Sequence, residues 1–203
     1  VALHLEGRRC LVVGGGELAA HRVRDLLACG AVVTVVAEHV SDAMGELDVH
    51  GAVSIEVRDF EPSDVTGQLV VFAASGTDEL DAEVARAARR HGVLVNRSDT
   101  PEDCDFFHTS VHRAGPVTVS VSSSGTSPAL ARWLRRRLAA QVGPEFGALA
   151  LLLAELRDSM HAEGASSEGL DWDALLDELA VALPSGDAAS VRSTVARWRE
   201  TTR

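Results

Sequence analysis

An apolar run, Cys10 to Val13, breaks into three consecutive glycines, Gly14, Gly15 and Gly16, and then into an amphipathic stretch that leads to a second apolar run, VVTVV. Strand, tight turn, helix and returning strand in that order commit the chain to a parallel sheet with helices on its faces. The alternation continues from Arg9 to Asn96: CLVV, ELAAHRVRDLLACG, VVTVV, VSIEV, LVVFAA, DELDAEVARAARRHG and VLVN. In the first helix Leu18, Val23, Leu26 and Leu27 fall roughly on one side, and Gly30 stands where helices commonly end. Ser75 and Asp78 have capping-box spacing ahead of the later helix.

After Asp99 the texture changes. TPEDCD reads as a loop, FFHTSVH leads to a turn at RAGP, and VTVSVS alternates as a half-buried strand does. Ser127 can cap a helix whose first position is Pro128, and the remainder reads as helices joined by Gly, Pro and Ser. The boundary is expected near residue 112, and EGASSEG reads as a flexible connector.

With 203 residues, 46% of them apolar, the chain can bury a core without disulfides or metals. Three cysteines at unpaired spacing suit a reducing compartment. No apolar run approaches the roughly 20 residues of a membrane span, and no export signal is visible, so the expected location is the cytoplasm with no membrane partner. A net charge of −11 argues against a nucleic-acid partner. Without lysine or tyrosine, the chain can support neither Schiff-base chemistry nor a tyrosine acid.

Gly14, Gly16 and Ala19 fit G-x-G-x-x-G/A at a strand-to-helix junction, the setting a dinucleotide site requires. The first glycine permits the turn, the second admits a pyrophosphate, and the small third residue allows close helix packing. The helix opening at Glu17 and Leu18 would offer its amides to the phosphates. Glu38, about twenty residues on, stands where an acid meets a ribose 2′-hydroxyl, which favours NAD over NADP. Ala74 and Ser75, at the end of the fourth strand, complete the candidate cofactor set. The plain alternative is a tight turn with no ligand. No phosphate loop of the G-x-x-x-x-G-K-[ST] type is present.

Asp99 follows the strand VLVN at the carboxyl edge of the sheet, where ligands of open α/β folds sit and a carboxylate can act as a base. From position alone, a turn-forming Asp before Thr-Pro is the better reading. Cys104, His108 and His112 invite a metal, but their spacing matches no metal motif, so none is expected and Cys104 reads as a small buried apolar residue. Ser123, Ser124, Gly125, Thr126 and Ser127 could be a flexible loop or could meet an anion at the helix that follows. Arg132, Arg135 and Arg136, beside Arg137, are either a solvated face or a carboxylate-binding patch.

Four segments together resemble the precorrin-2 dehydrogenase and sirohydrochlorin ferrochelatase family, which includes the N-terminal part of bifunctional siroheme synthases. They are CLVVGGGELAAHRVRDLLACGAVVTVVA, VVFAASGTDELDAEVARAAR, VLVNRSDTPEDCDFF and VTVSVSSSGTSPALARWLRRRL, spanning about residues 5 to 140. The resemblance implies an NAD-binding Rossmann domain (1–112), a dimerisation and tetrapyrrole-loop region (113–145) and a C-terminal helical domain (146–203), in a homodimer with the tetrapyrrole between domains. It implies oxidation of precorrin-2 to sirohydrochlorin with hydride passing to NAD, and family members differ in whether they also insert ferrous iron. By position Asp99 matches the family's catalytic aspartate, and Ser123 a serine of its tetrapyrrole-binding loop. The Arg132 to Arg137 cluster gains a task, since the substrate carries many carboxylates. Thr109 and Ser75 depart from the residues members usually have. A non-catalytic NAD- or tetrapyrrole-binding sensor or carrier on the same fold is the competing reading.

Overall fold

The computed structural model describes residues 2–48, 53–98, 100–164, 171–182 and 188–201. The chain divides into two units, the first ending at His108 and the second beginning at Thr109.

The first unit runs β1 (Arg9–Val13), α1 (Glu17–Leu27), β2 (Val32–Ala37), α2 (Asp42–Asp48), β3 (Val53–Val57), a 3₁₀ turn (Pro62–Val65), β4 (Val70–Ala73), α3 (Asp78–Arg90) and β5 (Leu94–Arg97). The five strands pair in parallel in the order β3-β2-β1-β4-β5. On β1, Val12 lies between Val35 of β2 and Phe72 of β4. Because side chains alternate along a strand, the central strands feed two separate cores. Cys10, Val12, Val33, Val35, Val70 and Phe72 pack on one side with Ala19, Ala20, Val23 and Leu26 of α1 and Met44 of α2. Leu11, Val13, Val36, Val71, Ala73 and Val95 pack on the other with Val84, Ala85, Ala87 and Ala88 of α3. Burial on both faces is the reason these strands read as continuous apolar runs.

Two local expectations are corrected, and one helix is added. Leu18 is exposed, because it lies about 140° around the helix from Val23 and so misses the face that α1 buries. The cap of α3 is Thr77 and not Ser75; the Ser75 amide donates instead to Asp81 Oδ1 at 2.9 Å, four residues into the helix. Helix α2, which the alternation does not reveal, has only one fully buried apolar anchor, Met44, and starts where the Met44 amide donates to Ser41 Oγ at 3.3 Å.

The second unit opens with an antiparallel hairpin of β6 (Ser110–Ala114) and β7 (Val117–Val121). Strand β6 is another element not anticipated, since SVHRA carries too little apolar alternation to stand out. Four helices follow: α4 (Pro128–Ala139), α5 (Pro144–Ala162), α6 (Trp172–Ala182) and α7 (Ala188–Thr201). Ser127 caps α4 by accepting the Leu130 amide at 3.3 Å, with Pro128 in the first turn. Gly147 of α5 rests against the hairpin so closely that a Cβ there would stand 2.5 Å from the Ala114 carbonyl oxygen. Leu149, Leu156 and Met160 of α5, Leu175 and Leu179 of α6, and Val191, Val195 and Trp198 of α7 form the core of this unit.

Candidate cofactor cleft and serine–arginine segment

Strand β1 neighbours both β2 and β4, so the chain leaves the centre of the sheet in one direction through β2 and β3 and in the other through β4 and β5. The reversal opens a crevice at the carboxyl ends of the strands, where ligands of open α/β sheets bind. The glycine turn occupies it. The Gly14 amide donates to the Val36 carbonyl at 2.9 Å and the Ala74 amide to the Val13 carbonyl at 2.9 Å, which ties β1 to both neighbours. Gly14 has φ +126°, and a Cβ there would stand 2.2 Å from the Ala74 carbonyl oxygen. A Cβ on Gly15 would stand 1.9 Å from the His39 carbonyl oxygen. Gly16, by contrast, faces open space. Two glycines are therefore dictated by backbone packing, and the third leaves room where a phosphate can approach.

Gly16 is also the residue before α1, and no side chain caps that helix. The amides of its first turn, beginning at Glu17, are the unspent donors that a pyrophosphate would accept from. These features fit a dinucleotide. The cleft encloses about 400 Å³, with Gly14, Gly16, Glu38, Arg58, Phe60 and Ser75 among its walls. Glu38 follows β2 directly and is exposed. Ala74 contributes its backbone to the wall behind Gly14, and the Ala19 side chain is buried against the sheet. Gly14, Gly16, Glu38 and Ser75 thus line one cleft, with Ala74 packed behind Gly14. Gly15, Arg58 and Phe60 were not foreseen: the motif names only alternate glycines, and nothing in the sequence marks the end of β3.

Asp99 lies outside the described residues. On either side of it the chain is fastened to the sheet. The Ser98 amide donates to the Ala73 carbonyl at 3.0 Å. The buried Arg97 guanidinium pairs with Asp78 at the start of α3 and with Asp103. Asn96 Nδ2 donates to the Phe106 carbonyl at 2.8 Å, and the Val95 amide to Asp105 Oδ2 at 3.0 Å. Cys104 is not the buried apolar residue expected: it is partly exposed, and its thiol donates to the Arg97 carbonyl at 3.1 Å. Burial nevertheless pushes that thiol up from its ordinary value.

His108 does not join Cys104. Its Nε2 lies 2.9 Å from Asp25 Oδ2, and His21 Nδ1 lies 3.0 Å from the same oxygen. Burial alone would raise the Asp25 carboxyl, but the His108 and His21 partners outweigh it and hold it below its ordinary value. Among the described residues no group of three or more His, Cys, Asp or Glu is arranged to hold a metal ion. In the second unit His112 Nε2 lies 2.7 Å from the Val142 carbonyl oxygen.

The serine-rich segment of the second unit is an ordered turn. Ser123 Oγ accepts the Ser127 amide at 2.9 Å, and Ser122 Oγ accepts the Ser124 amide at 3.1 Å. The Thr126 amide donates to the Ser123 carbonyl at 2.9 Å, with Ser124 at φ +50° and Gly125 at φ +79°. The turn delivers the chain into α4. There Arg132 and Arg136 are exposed and Arg135 half-buried, at a spacing that groups them on one side of the helix. Arg137 instead lies over the Trp133 ring, 5.0 Å from its centroid. Among the described helices no single one is long and apolar enough to cross a membrane.

The chain matches two family profiles: one described as "Putative NAD(P)-binding" over residues 1–110 and one described as "Sirohaem biosynthesis protein central" over residues 114–141. It is 41% identical over 158 residues to a siroheme synthase of Methylococcus capsulatus, covering 78% of this chain and 33% of that protein. It is 36% identical over 190 residues to siroheme synthase 3 of Aeromonas hydrophila, covering 92% of this chain and 41% of that protein. The chain thus spans about a third and about two fifths of the length of these two relatives. In fold it resembles a solved structure titled "SirC, precorrin-2 dehydrogenase", with a TM-score of 0.73, 23% identity and 98% of each chain covered.

Proposed function

The chain belongs to the siroheme synthase family, its residues 1–110 carrying the NAD(P)-binding fold, and on that premise we propose that it oxidises precorrin-2 to sirohydrochlorin with NAD as the acceptor. The observation that carries this reading is the cradle at the sheet's reversal. Gly14 is locked against Ala74, Gly16 is open, and the uncapped start of α1 faces the same cleft as Glu38.

NAD, when bound, supplies the acceptor for one hydride leaving the macrocycle. The rest falls to side chains. Gly16 and the first amides of α1 hold the pyrophosphate, and Glu38 accepts from the adenosine ribose. Ser75 stands beside them on the cleft wall. Asp99 is proposed to take the proton that must leave with the hydride, and general-base removal contributes roughly 10²- to 10⁴-fold. Ser123, Ser124, Gly125, Thr126 and Ser127 are proposed to meet the substrate, and Arg132, Arg135 and Arg136 to pair its carboxylates. A guanidinium offers each carboxylate two parallel donors. The acting species is proposed to be a homodimer formed through residues 113–145. Ferrous iron is a proposed second substrate, inserted after oxidation.

The test is anaerobic incubation of the protein with precorrin-2 and NAD, following NADH and sirohydrochlorin by absorbance, with Asp99→Ala alongside. NADH and sirohydrochlorin in equal amounts from the wild type, lost in the variant, support the reading, and added ferrous iron then tests chelation. Tetrapyrrole binding without NADH, unaffected by the variant, would replace it with a carrier.

A further inference from the structure

Arg58 stands on the wall of the cleft that Glu38 lines. A guanidinium beside the adenosine ribose is the usual means of holding the 2′-phosphate of NADP, so taken alone its presence opposes the NAD assignment. Its hydrogen bonds remove the conflict. The Arg58 amide donates to the Ala37 carbonyl at 3.1 Å, which fixes the end of β3 beside Glu38. Of the side chain's five N–H donors, Nε gives to Glu56 Oε2 at 2.9 Å. Nη2 gives to Glu56 Oε2 at 2.5 Å and to Asp64 Oδ1 at 2.7 Å. Nη1 gives to Asp64 Oδ2 at 2.9 Å and to the Asp59 carbonyl at 2.9 Å. All five are spent.

The two carboxylates hold the fork along adjacent edges that share Nη2, and Asp64 is anchored in turn by accepting the Glu61 amide at 2.9 Å. Burial would raise the Asp64 carboxyl, but the Arg58 hydrogen bonds prevail and keep it below its ordinary value, so it remains charged. Around this end of the cleft one committed guanidinium therefore stands with three carboxylates: Glu38, Glu56 and Asp64. Arg58 therefore offers a doubly charged 2′-phosphate no free donor and its carboxylate partners repel one, which leaves His39 and Ser41 on the same wall as the side-chain donors beside Glu38, while a 2′-hydroxyl needs only the Glu38 acceptor.

We infer that Glu56 and Asp64 form a clamp on Arg58 that makes the cleft selective for NAD, and that Arg58 becomes an NADP-binding residue when the clamp is released. The inference rests on the dinucleotide reading of the cleft. It assigns cofactor choice to a charge cluster on β3 and the following 3₁₀ turn, outside the glycine motif.

Calorimetric titration of the full chain with NAD and with NADP tests it, with thermal unfolding by circular dichroism as the check on folding. The wild type is expected to prefer NAD by more than tenfold. In Glu56→Gln/Asp64→Asn the preference should move toward NADP by roughly tenfold, the scale of one hydrogen bond to a charged group, with NAD affinity little altered. If the double variant fails to fold, Glu56→Gln alone and Glu38→Ser carry the test. Glu38 is exposed and Glu56 half-buried, and Glu38→Ser should lose NAD affinity and gain in relative affinity for NADP. An unchanged ratio in folded variants, or a wild type that binds both cofactors alike, overturns the clamp and leaves a dinucleotide site standing. A wild type that binds neither removes the dinucleotide reading as well.

Discussion

The two units shape their candidate binding surfaces by different means. In the first, the cleft is made of backbone: Gly14 and Gly15 touch the carbonyls of Ala74 and His39, and no side chain could be added at either without moving a strand or a loop. In the second, the serine segment is shaped by side chains, with Ser122, Ser123 and Ser127 hydroxyls each accepting a nearby amide, and of the arginines that follow Arg132 and Arg136 are exposed and Arg135 half-buried. A diphosphate has one shape and rewards a rigid cradle of amides. A macrocycle ringed with carboxylates presents many charges, which arginines, each a planar fork on a flexible stem, can meet.

The largest effects should separate the units most sharply. Gly14→Ala forces a Cβ to 2.2 Å from a backbone oxygen at a positive φ, and should cost about 2–4 kcal/mol in the first unit and abolish NAD binding. Gly147→Ala makes the corresponding clash against Ala114 and should cost a similar amount in the second unit. All three tryptophans, Trp133, Trp172 and Trp198, lie in the second unit, so their fluorescence follows it alone. Urea unfolding by fluorescence should therefore shift for Gly147→Ala and stay put for Gly14→Ala. Equal shifts in both would mean that the units unfold as one.

Next in size is Arg132→Gln/Arg135→Gln. About a tenfold rise in KM for precorrin-2, with NAD affinity unchanged, is the expected outcome of steady-state kinetics. A change in kcat with KM constant would place these arginines elsewhere in the reaction. Ser127→Ala should be milder, removing the cap of α4 at about 1 kcal/mol, read as a small fall in the fluorescence-detected urea midpoint.

The smallest effect is one of pH. Asp25 is held below its ordinary value in the folded first unit, so it binds a proton less readily there than in the unfolded chain. Its contribution is complete above about pH 4, the ordinary carboxylate range, and is lost as pH falls through the depressed folded value. Asp25→Asn should flatten the acid limb of stability measured by circular dichroism and leave the tryptophan-detected acid limb unchanged. An identical acid limb in wild type and variant would show that the His21 and His108 contacts do not matter to folding.

Much of the first unit was legible in the sequence because its strands are buried on both faces and its turn requires glycine. The runs CLVV, VVTVV and LVVFAA could hardly be anything but central strands, and β1, β2 and β4 lie there. What escaped notice had weak local signals. Helix α2 buries one methionine completely and contains Gly45, and β6 places His112 and Arg113 side by side in a hairpin strand. Leu18 looked like a core residue by spacing, but four better-placed neighbours took the face.

The candidate cleft divides in the same way. Sequence by itself determined the parallel sheet, the glycine turn, the acid at the end of β2 and the capped start of α4, since each depends on residues close together in the chain and on rules of periodicity or backbone conformation. Tertiary structure decided the rest. That Gly14 meets Ala74, sixty residues on, that Gly15 meets His39, and that Arg58 reaches the cleft with its donors taken by Glu56 and Asp64 all depend on strand order. Pairing β1 with β4 as well as with its sequence neighbour β2 brings together groups whose separation along the chain gives no sign that they meet.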